Sequence, residues 1–545
     1  MSQYSGIGVS PGIAVGAVRK ILGQKVTSEI SGTLEEVLAG LKAVGAQLEA
    51  SSEKIDLEVA KDILAAQAMM ANDPSLAEVF ENILTAGQRY SDVRPLIEEA
   101  FAGFKNTLSA LGGYFAERVS DLDEISIRLL SHLAGVKITK LVLTEPSVIV
   151  AEDLTPSDTA TLDLKFALAL VCSKGGATSH TAIVARGLGI PAIVGATGVM
   201  DISDGTQVLV DGRSGSFILE PSQDQISNLR KREDALKSRS ESVSGPGKLS
   251  DGTAIQLLGN AGTVEDVHSA MKVGAEGIGL FRTELLFLNS RIEPTISEQV
   301  ELYSAVFEAA KGRKVVIRTL DAGSDKPVPY INAIHEENPA LGVRGWRLTR
   351  TSNDVINRQL EAVSIAQKSF DVWVMAPMIN TPAEAEDFAS RSASFGLKNC
   401  GVMIETPAAA IHADKVLAKV RFGSFGTNDL TQYVMASDRM DSRLSDMTSA
   451  WNPAVLRTIA TATMFAKELN RPMGVCGEAA AHPHLAAVLV GIGVDSLSMA
   501  PSAIGEVRGF LATVGLKTCR EAARLAQAAE SAKEAQSLVV ELLGE

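Results

Sequence analysis

Residues 175–181 read Gly175-Gly176-Ala177-Thr178-Ser179-His180-Thr181, a histidine set behind two glycines and two hydroxyl residues. The glycines open backbone conformations that other residues avoid. Upstream, Phe166 to Cys172 is an apolar run of strand length; downstream, Ala182 to Leu188 reads as a short helix closed by glycine. His180 therefore falls at a strand–loop–helix turn, beside a helix N-terminus. Unpaired N–H groups and the helix dipole there favour a bound anion and disfavour a protonated imidazole. A neutral imidazole facing an anion can accept a phosphoryl group as nucleophile. A histidine that only caps the helix fits the same residues.

A second set of reactive residues lies in the C-terminal half: Arg282-Thr283-Glu284, Arg318-Thr319-Leu320-Asp321, Asp325-Lys326, Asn338 to Arg344, Glu405-Thr406-Pro407, Gly426-Thr427-Asn428-Asp429 and Cys476-Gly477-Glu478. Arginines form bidentate forks to phosphate and carboxylate oxygens. Glu405 and Asp429 suit a hard divalent ion such as Mg²⁺, which needs few protein ligands when a substrate supplies oxygens too. Cys476 can give or take a proton. A small phosphorylated carboxylic acid meets all three demands. Taken singly, each charged residue would pass for half of a surface ion pair.

The elements that carry this second set give it meaning. Short buried-strand patterns recur at Ile255–Gly259, Gly277–Phe281, Val315–Thr319, Val372–Pro377, Gly401–Ile404, Phe422–Gly426, Met473–Cys476 and Ser496–Met499, alternating with helical segments. Eight such strands fit a (β/α)8 barrel, whose active site gathers where strands end and the following loops begin. The reactive residues stand at those ends, so they should converge on one mouth.

The rest of the 545 residues divides into further domains. Residues 1–22 suggest a strand pair and, with 138–222, form a small α/β domain that carries His180. Residues 23–137 interrupt it with an all-α bundle, in which Leu34, Val37, Leu38, Leu41, Val44 and Leu48 mark one helix face and Asp73-Pro74 starts another helix. Residues 223–248 read as a solvated linker helix and a flexible joint, and 249–545 as the barrel. The fold class is α/β multidomain.

A formal charge of −14 argues against a nucleic-acid binder. Cys172, Cys400, Cys476 and Cys519 are scattered without CxxC spacing, which points to a reducing compartment. No signal peptide is evident, and apolar runs such as Leu485 to Val494 fall short of the ~18 residues of a membrane span. A cytoplasmic protein without membrane insertion is expected.

The histidine loop, with Ala185-Arg186 and Ile190-Pro191-Ala192-Ile193-Val194-Gly195, resembles the phosphohistidine loop of the phosphoenolpyruvate-utilising enzymes. Ala177 stands where a basic residue is usual. Residues 277–284 (GIGLFRTE), 337–342 (ENPALG), 405–408 (ETPA), 426–433 (GTNDLTQY) and 476–478 (CGE) resemble the substrate barrel of the same enzymes. The Ser10-Pro11-Gly12 opening resembles the Enzyme I family of the sugar phosphotransferase system. That resemblance implies that His180 carries the phosphoryl group. It further implies that Arg282, Arg318 and Arg439 hold the phosphoryl group on phosphoenolpyruvate, with Asn428, Asp429 and Arg344 positioning the substrate. Glu405 and Asp429 would ligate Mg²⁺, and Cys476 would protonate the enolate to give pyruvate. His180 would pass its phosphoryl group to a histidine of the phosphocarrier HPr, docked on 23–137, within a homodimer formed through the barrel. In the bundle, Ala65-Ala66-Gln67-Ala68-Met69 replaces the usual Glu-Ala-His-x-Met on the expected docking face. Ser324 replaces a usual glycine, and Ala479 to His482 replaces Met-Ala-Gly-Asp. A pyruvate phosphate dikinase or phosphoenolpyruvate synthase would share the loop and barrel but needs a large ATP domain before the loop; labelling by ATP separates these. A phosphoenolpyruvate-sensing regulator without turnover is the non-enzymatic alternative; pyruvate release on adding a phosphocarrier would decide between them, and the full set of acids and arginines with Cys476 argues against it.

Overall fold

The computed structural model describes the chain except residues 1–2, 22–25, 27, 54–57, 112–118, 137–142, 155–161, 163–164, 177–179, 289, 291, 324–327, 329, 332–335, 369, 440, 442–443, 445–446 and 545. Loop residues Ala177 to Ser179 and the expected turn into a helix after Thr155 therefore lie outside the described residues. The chain forms two compact units, Met1–Asp234 and Ala235–Glu545.

The first unit contains an eight-stranded sheet: β1 (Gln3–Ser5), β2 (Ile7–Ser10), β3 (Ile13–Ile21), β4 (Ser147–Ala151), β5 (Ala167–Cys172), β6 (Ala192–Val194), β7 (Gln207–Asp211) and β8 (Ser216–Leu219). Their order is β1-β8-β7-β3-β4-β5-β6-β2. The opening residues make three strands where the sequence suggested two. Pro11 has no N–H to extend a ladder, and Gly12 turns the chain at φ 126°, so β2 stays at one edge and β3 crosses to the centre. Strands β3 to β6 run parallel; β4 to β6 are buried on both faces, while β3 alternates between buried and half-buried residues. Ile149, Leu170 and Cys172 pack on one face with Ala182 and Ala185 of the helix His180–Leu188. Val148, Val150, Ala169 and Val171 pack on the other.

Helices Leu34–Ser52, Glu58–Ala71, Pro74–Ile83, Arg94–Leu111 and Val119–Leu133 build a separate apolar core around Val37, Leu48, Phe80, Phe101 and Leu129. Thr33 and Glu36 close a capping box on the first of them, and the Asp73 carboxylate caps the third at Ser75 N, 2.8 Å. Gln67 is a correction. It is fully buried and its amide donates to Asp121 Oδ1 (2.9 Å) and Glu124 Oε2 (3.0 Å), so it does not belong to a docking face. The helix Gln223–Ser242 follows, charged as its sequence indicates.

The second unit is a closed parallel barrel of β9 (Gln256–Ala261), β10 (Gly277–Arg282), β11 (Lys314–Arg318), β12 (Val372–Ala376), β13 (Cys400–Ile404), β14 (Phe422–Phe425), β15 (Met473–Val475) and β16 (Ser496–Met499), in that order around the ring. Ser496 of β16 pairs with Gln256 of β9 to close it. Every expected strand is present, with ends shifted by a residue or two. β15 stops at Val475, which leaves Cys476 just past the strand end. No described helix is long and apolar enough to cross a membrane.

Candidate active site

The strand ends deliver the charged residues to the C-terminal mouth, as barrel geometry requires. Arg318 ends β11 and is buried. Its Nη2 donates to Glu284 Oε1 at 2.9 Å, and Nη1 lies 3.7 Å from Asp321 Oδ2. Burial alone would lower its pKa; the charges of Glu284, Asp321 and Glu405 outweigh burial and raise it. Arg344, also buried, grips Asp321 with a fork (Nε–Oδ1 3.2 Å, Nη2–Oδ2 2.7 Å) and reaches Asp429 Oδ1 at 3.0 Å. Arg439 takes the other oxygen of Asp429, Nη1–Oδ2 3.3 Å. Asp429 is thus held by two arginines, and Asp321 joins the two buried ones. Arg282 is exposed, yet its head group is crowded: desolvation, then the Arg318 charge, lowers its pKa.

Glu405 stands at the end of β13 and is 1 % exposed. Burial first, then the charges of Asp429 and Asp321, push its carboxyl well above the ordinary glutamate range. Two local features hold it. Met378 sits at φ 54°, a left-handed backbone that costs a non-glycine residue on the order of 1–3 kcal/mol, and its N–H donates to Glu405 Oε2 at 2.8 Å. Gly426 leaves the carboxylate its space, since a Cβ there would lie 2.6 Å from Oε1. Gly426→Ala is expected to shift Glu405 and lower the melting temperature by a few degrees (roughly 1–3 kcal/mol); calorimetry reads the loss.

Asn428 is half-buried at the start of the helix Thr427–Met435, and its Oδ1 accepts from Glu478 N at 3.3 Å. Cys476 is buried with Leu280, Met375 and Met403 inside the barrel, and its thiol lies 3.4 Å from the Phe425 carbonyl. Burial pushes the thiol up to about 11, so it is protonated at neutral pH.

The structure therefore gathers Arg318, Arg344, Arg439, Glu405 and Asp429 into one charge network, with Arg282, Asn428 and Cys476 on adjoining strand ends and loops. His180 opens its helix in the other unit, behind Gly175 at φ 91°. Next to it, Thr181 Oγ1 donates to Asp153 Oδ1 at 3.1 Å, fixing the first turn. The sequence reading assigned no role to Glu284 and Asp321, which hold the arginines. The available signal was an acid two residues after Arg282 and three after Arg318.

Three family models cover most of the chain: the PEP-utilising enzyme N-terminal domain over residues 5–118, the mobile domain over 143–215 and the PEP-binding domain over 237–515. The chain belongs to the phosphoenolpyruvate-utilising enzyme family. Among its relatives is a phosphoenolpyruvate-protein phosphotransferase of Streptomyces coelicolor, 42% identical over 98% of this chain and 97% of that one. Proteins of the same name from Haloferax volcanii (37% identical, 90% of this chain, 89% of that one) and Bacillus subtilis (34%, 92% and 93%) match as well. In this enzyme of the family, the segment covered by the mobile-domain model contains His180, and the segment covered by the PEP-binding model contains every charged residue of the barrel mouth described above.

Proposed function

We propose that the enzyme transfers the phosphoryl group of phosphoenolpyruvate to His180, releases pyruvate, and passes the group on to a histidine of the phosphocarrier HPr, as the first step of sugar phosphotransfer. The observation that carries this reading is the convergence of Arg318, Arg344 and Arg439 with four buried carboxylates, Glu284, Asp321, Glu405 and Asp429, and a protonated thiol at one barrel mouth. Arg282, Arg318 and Arg439 would bind the phosphoryl oxygens, while Arg344 and Asn428 would orient the carboxylate end. Cys476 would give its proton to the enolate carbon.

A divalent ion fits the acids. Among the described residues no group of three or more His, Cys, Asp or Glu forms a ready-made cage. Glu405, however, is a buried carboxylate burdened by two neighbouring acids, an environment that a cation would relieve. Glu405 and Asp429 would hold Mg²⁺, which supplies charge neutralisation on the substrate oxygens. The imidazole cannot serve the barrel and the carrier at once, so the unit bearing it would alternate between them by hinge motion. The enzyme would act in the cytoplasm as a homodimer.

The test is incubation with labelled phosphoenolpyruvate, Mg²⁺ and HPr, followed by mapping of the modified residue. Label on His180, chased to HPr with one pyruvate per transfer, is expected. Label from ATP, or none from phosphoenolpyruvate, would overturn the reading.

A further inference from the structure

The main-chain ladder between β10 and β11 ends at the pair Arg282–Arg318. Beyond it a side chain takes over: Thr283 Oγ1 donates to the Arg318 carbonyl at 3.0 Å. Thr283 Oγ1 in turn accepts from Gln359 Nε2 at 3.1 Å, and Gln359 Oε1 accepts from Leu320 N at 2.9 Å. One side-chain amide thus holds the backbone on both sides of Thr319. Its other N–H goes to the Tyr303 hydroxyl at 3.1 Å.

Gln359 stands on the buried stripe of the helix Asn353–Gln367, with Ile356, Leu360 and Val363. It is fully buried, as are Tyr303 and Gln299. Burying an amide is costly unless its hydrogen bonds are made, and here both donors and the acceptor are used. One contact fixes the direction of all the others. The Leu320 N–H can only donate, so the amide oxygen must face it and the NH₂ group must face the two hydroxyls. Each hydroxyl accepts from the amide and sends its own proton onward, Thr283 to the Arg318 carbonyl and Tyr303 to Gln299 Oε1 at 3.4 Å.

The two arms lead to different places. The Thr283 arm enters the charged mouth: Glu284, the next residue, accepts from Arg318 Nη2 at 2.9 Å and from Asp321 N at 3.0 Å. Thr283–Glu284 and Arg318–Asp321 are therefore interlocked strand ends, and Gln359 ties them to the helix behind. The Tyr303 arm runs instead through Gln299 Nε2 to the Pro294 carbonyl, 3.1 Å.

We propose that Gln359 is a positioning residue for phosphoryl transfer, setting through Thr283 and Leu320 the backbone that aims the Arg318 guanidinium and the Asp321 carboxylate. This rests on the reading in which Arg318 binds the phosphoryl oxygens. A displaced guanidinium still attracts a dianion but no longer matches its transition state, so the rate suffers more than binding.

Single-turnover labelling by phosphoenolpyruvate, with titration of the substrate, tests the role. Gln359→Met and Thr283→Val should take up label roughly 10- to 100-fold more slowly at saturation, with the dissociation constant moved less than about threefold. Thr283→Ser keeps the hydroxyl and should label within about twofold of wild type. Tyr303→Phe leaves one amide N–H unpaired and should melt a few degrees lower, yet label within about twofold of wild type. The Thr283 and Tyr303 variants decide the matter even where Gln359→Met fails to fold. Wild-type labelling by Thr283→Val overturns the role, as does a Thr283→Ser as slow as Thr283→Val. A Tyr303→Phe as slow as Thr283→Val overturns it too, and makes the buried chain a support for the fold alone. Wild-type protein that takes no label from phosphoenolpyruvate overturns the functional reading, and the positioning role with it.

Discussion

His180→Ala is expected to take up no label from phosphoenolpyruvate while keeping its fold and its affinity for the substrate. The loss should be complete because, on the proposed reading, the His180 imidazole is the nucleophile that takes the phosphoryl group. The fold should survive because the helix is anchored elsewhere: Ala182 and Ala185 pack on the sheet, and Thr181 holds Asp153. Alanine is the best helix former, so a change at the first helical position alters stability by less than about 0.5 kcal/mol. The barrel network lies in a different unit, so the substrate dissociation constant should move less than about twofold, as for independent sites. Protein labelling, thermal melting and calorimetric titration read the three expectations. Normal labelling of the mutant would show that another residue is the acceptor.

Glu405→Gln should separate stability from activity. Without metal, the wild-type carboxylate is buried beside Asp429 and Asp321, and its raised pKa records the repulsion. The folded state therefore binds a proton that the unfolded state releases near its model value of 4.5. The stability this contributes is full below that value and is lost as pH rises through the higher folded value. Glutamine removes the charge, keeps an acceptor for the Met378 N–H, and turns an NH₂ donor toward the acids. The metal-free variant should melt higher than wild type at pH 8, and the gap should shrink toward pH 5. Turnover should fall on the order of 10²–10³-fold, as when one electrostatic group is removed from a transition state. Mg²⁺ should raise the wild-type melting temperature at pH 8 and leave the variant nearly unmoved. Equal melting temperatures at pH 8 would contradict the frustrated-carboxylate account.

The barrel was legible because each strand is a short, largely apolar run; β10 and β11 end on arginine, and Glu405 and Cys476 stand just past the ends of β13 and β15. That pattern survives in a linear reading: Lys314 to Arg318 is buried from its second residue onward, and the reactive group comes last. The pairing inside the mouth was not legible. Asp321 lies 23 residues from Arg344 and Asp429 lies 85, and nothing in the linear order says which acid meets which guanidinium. Gln67 misled for a different reason. Its place beside a familiar motif suggested a surface role, yet Leu64, Gln67, Ala68 and Ala71 follow the three–four spacing of a buried stripe. Periodicity was the better guide there. The Met378 distortion had no sequence signal, since left-handed backbone is expected of glycine or asparagine.

The charge network of the mouth has a consequence for how tightly anything is held. Arg318, Arg344 and Arg439 already face carboxylates, so on the proposed reading an arriving dianion would displace resident counter-ions instead of filling a vacancy. Most of the gross attraction would cancel in that exchange, as it does when buried ion pairs trade partners. Once the dianion's charge had left with the phosphoryl group, the resident acids would reclaim their guanidinium groups and loosen the grip on what is left. Capture and release would then be separated by a small difference between two large and similar forces.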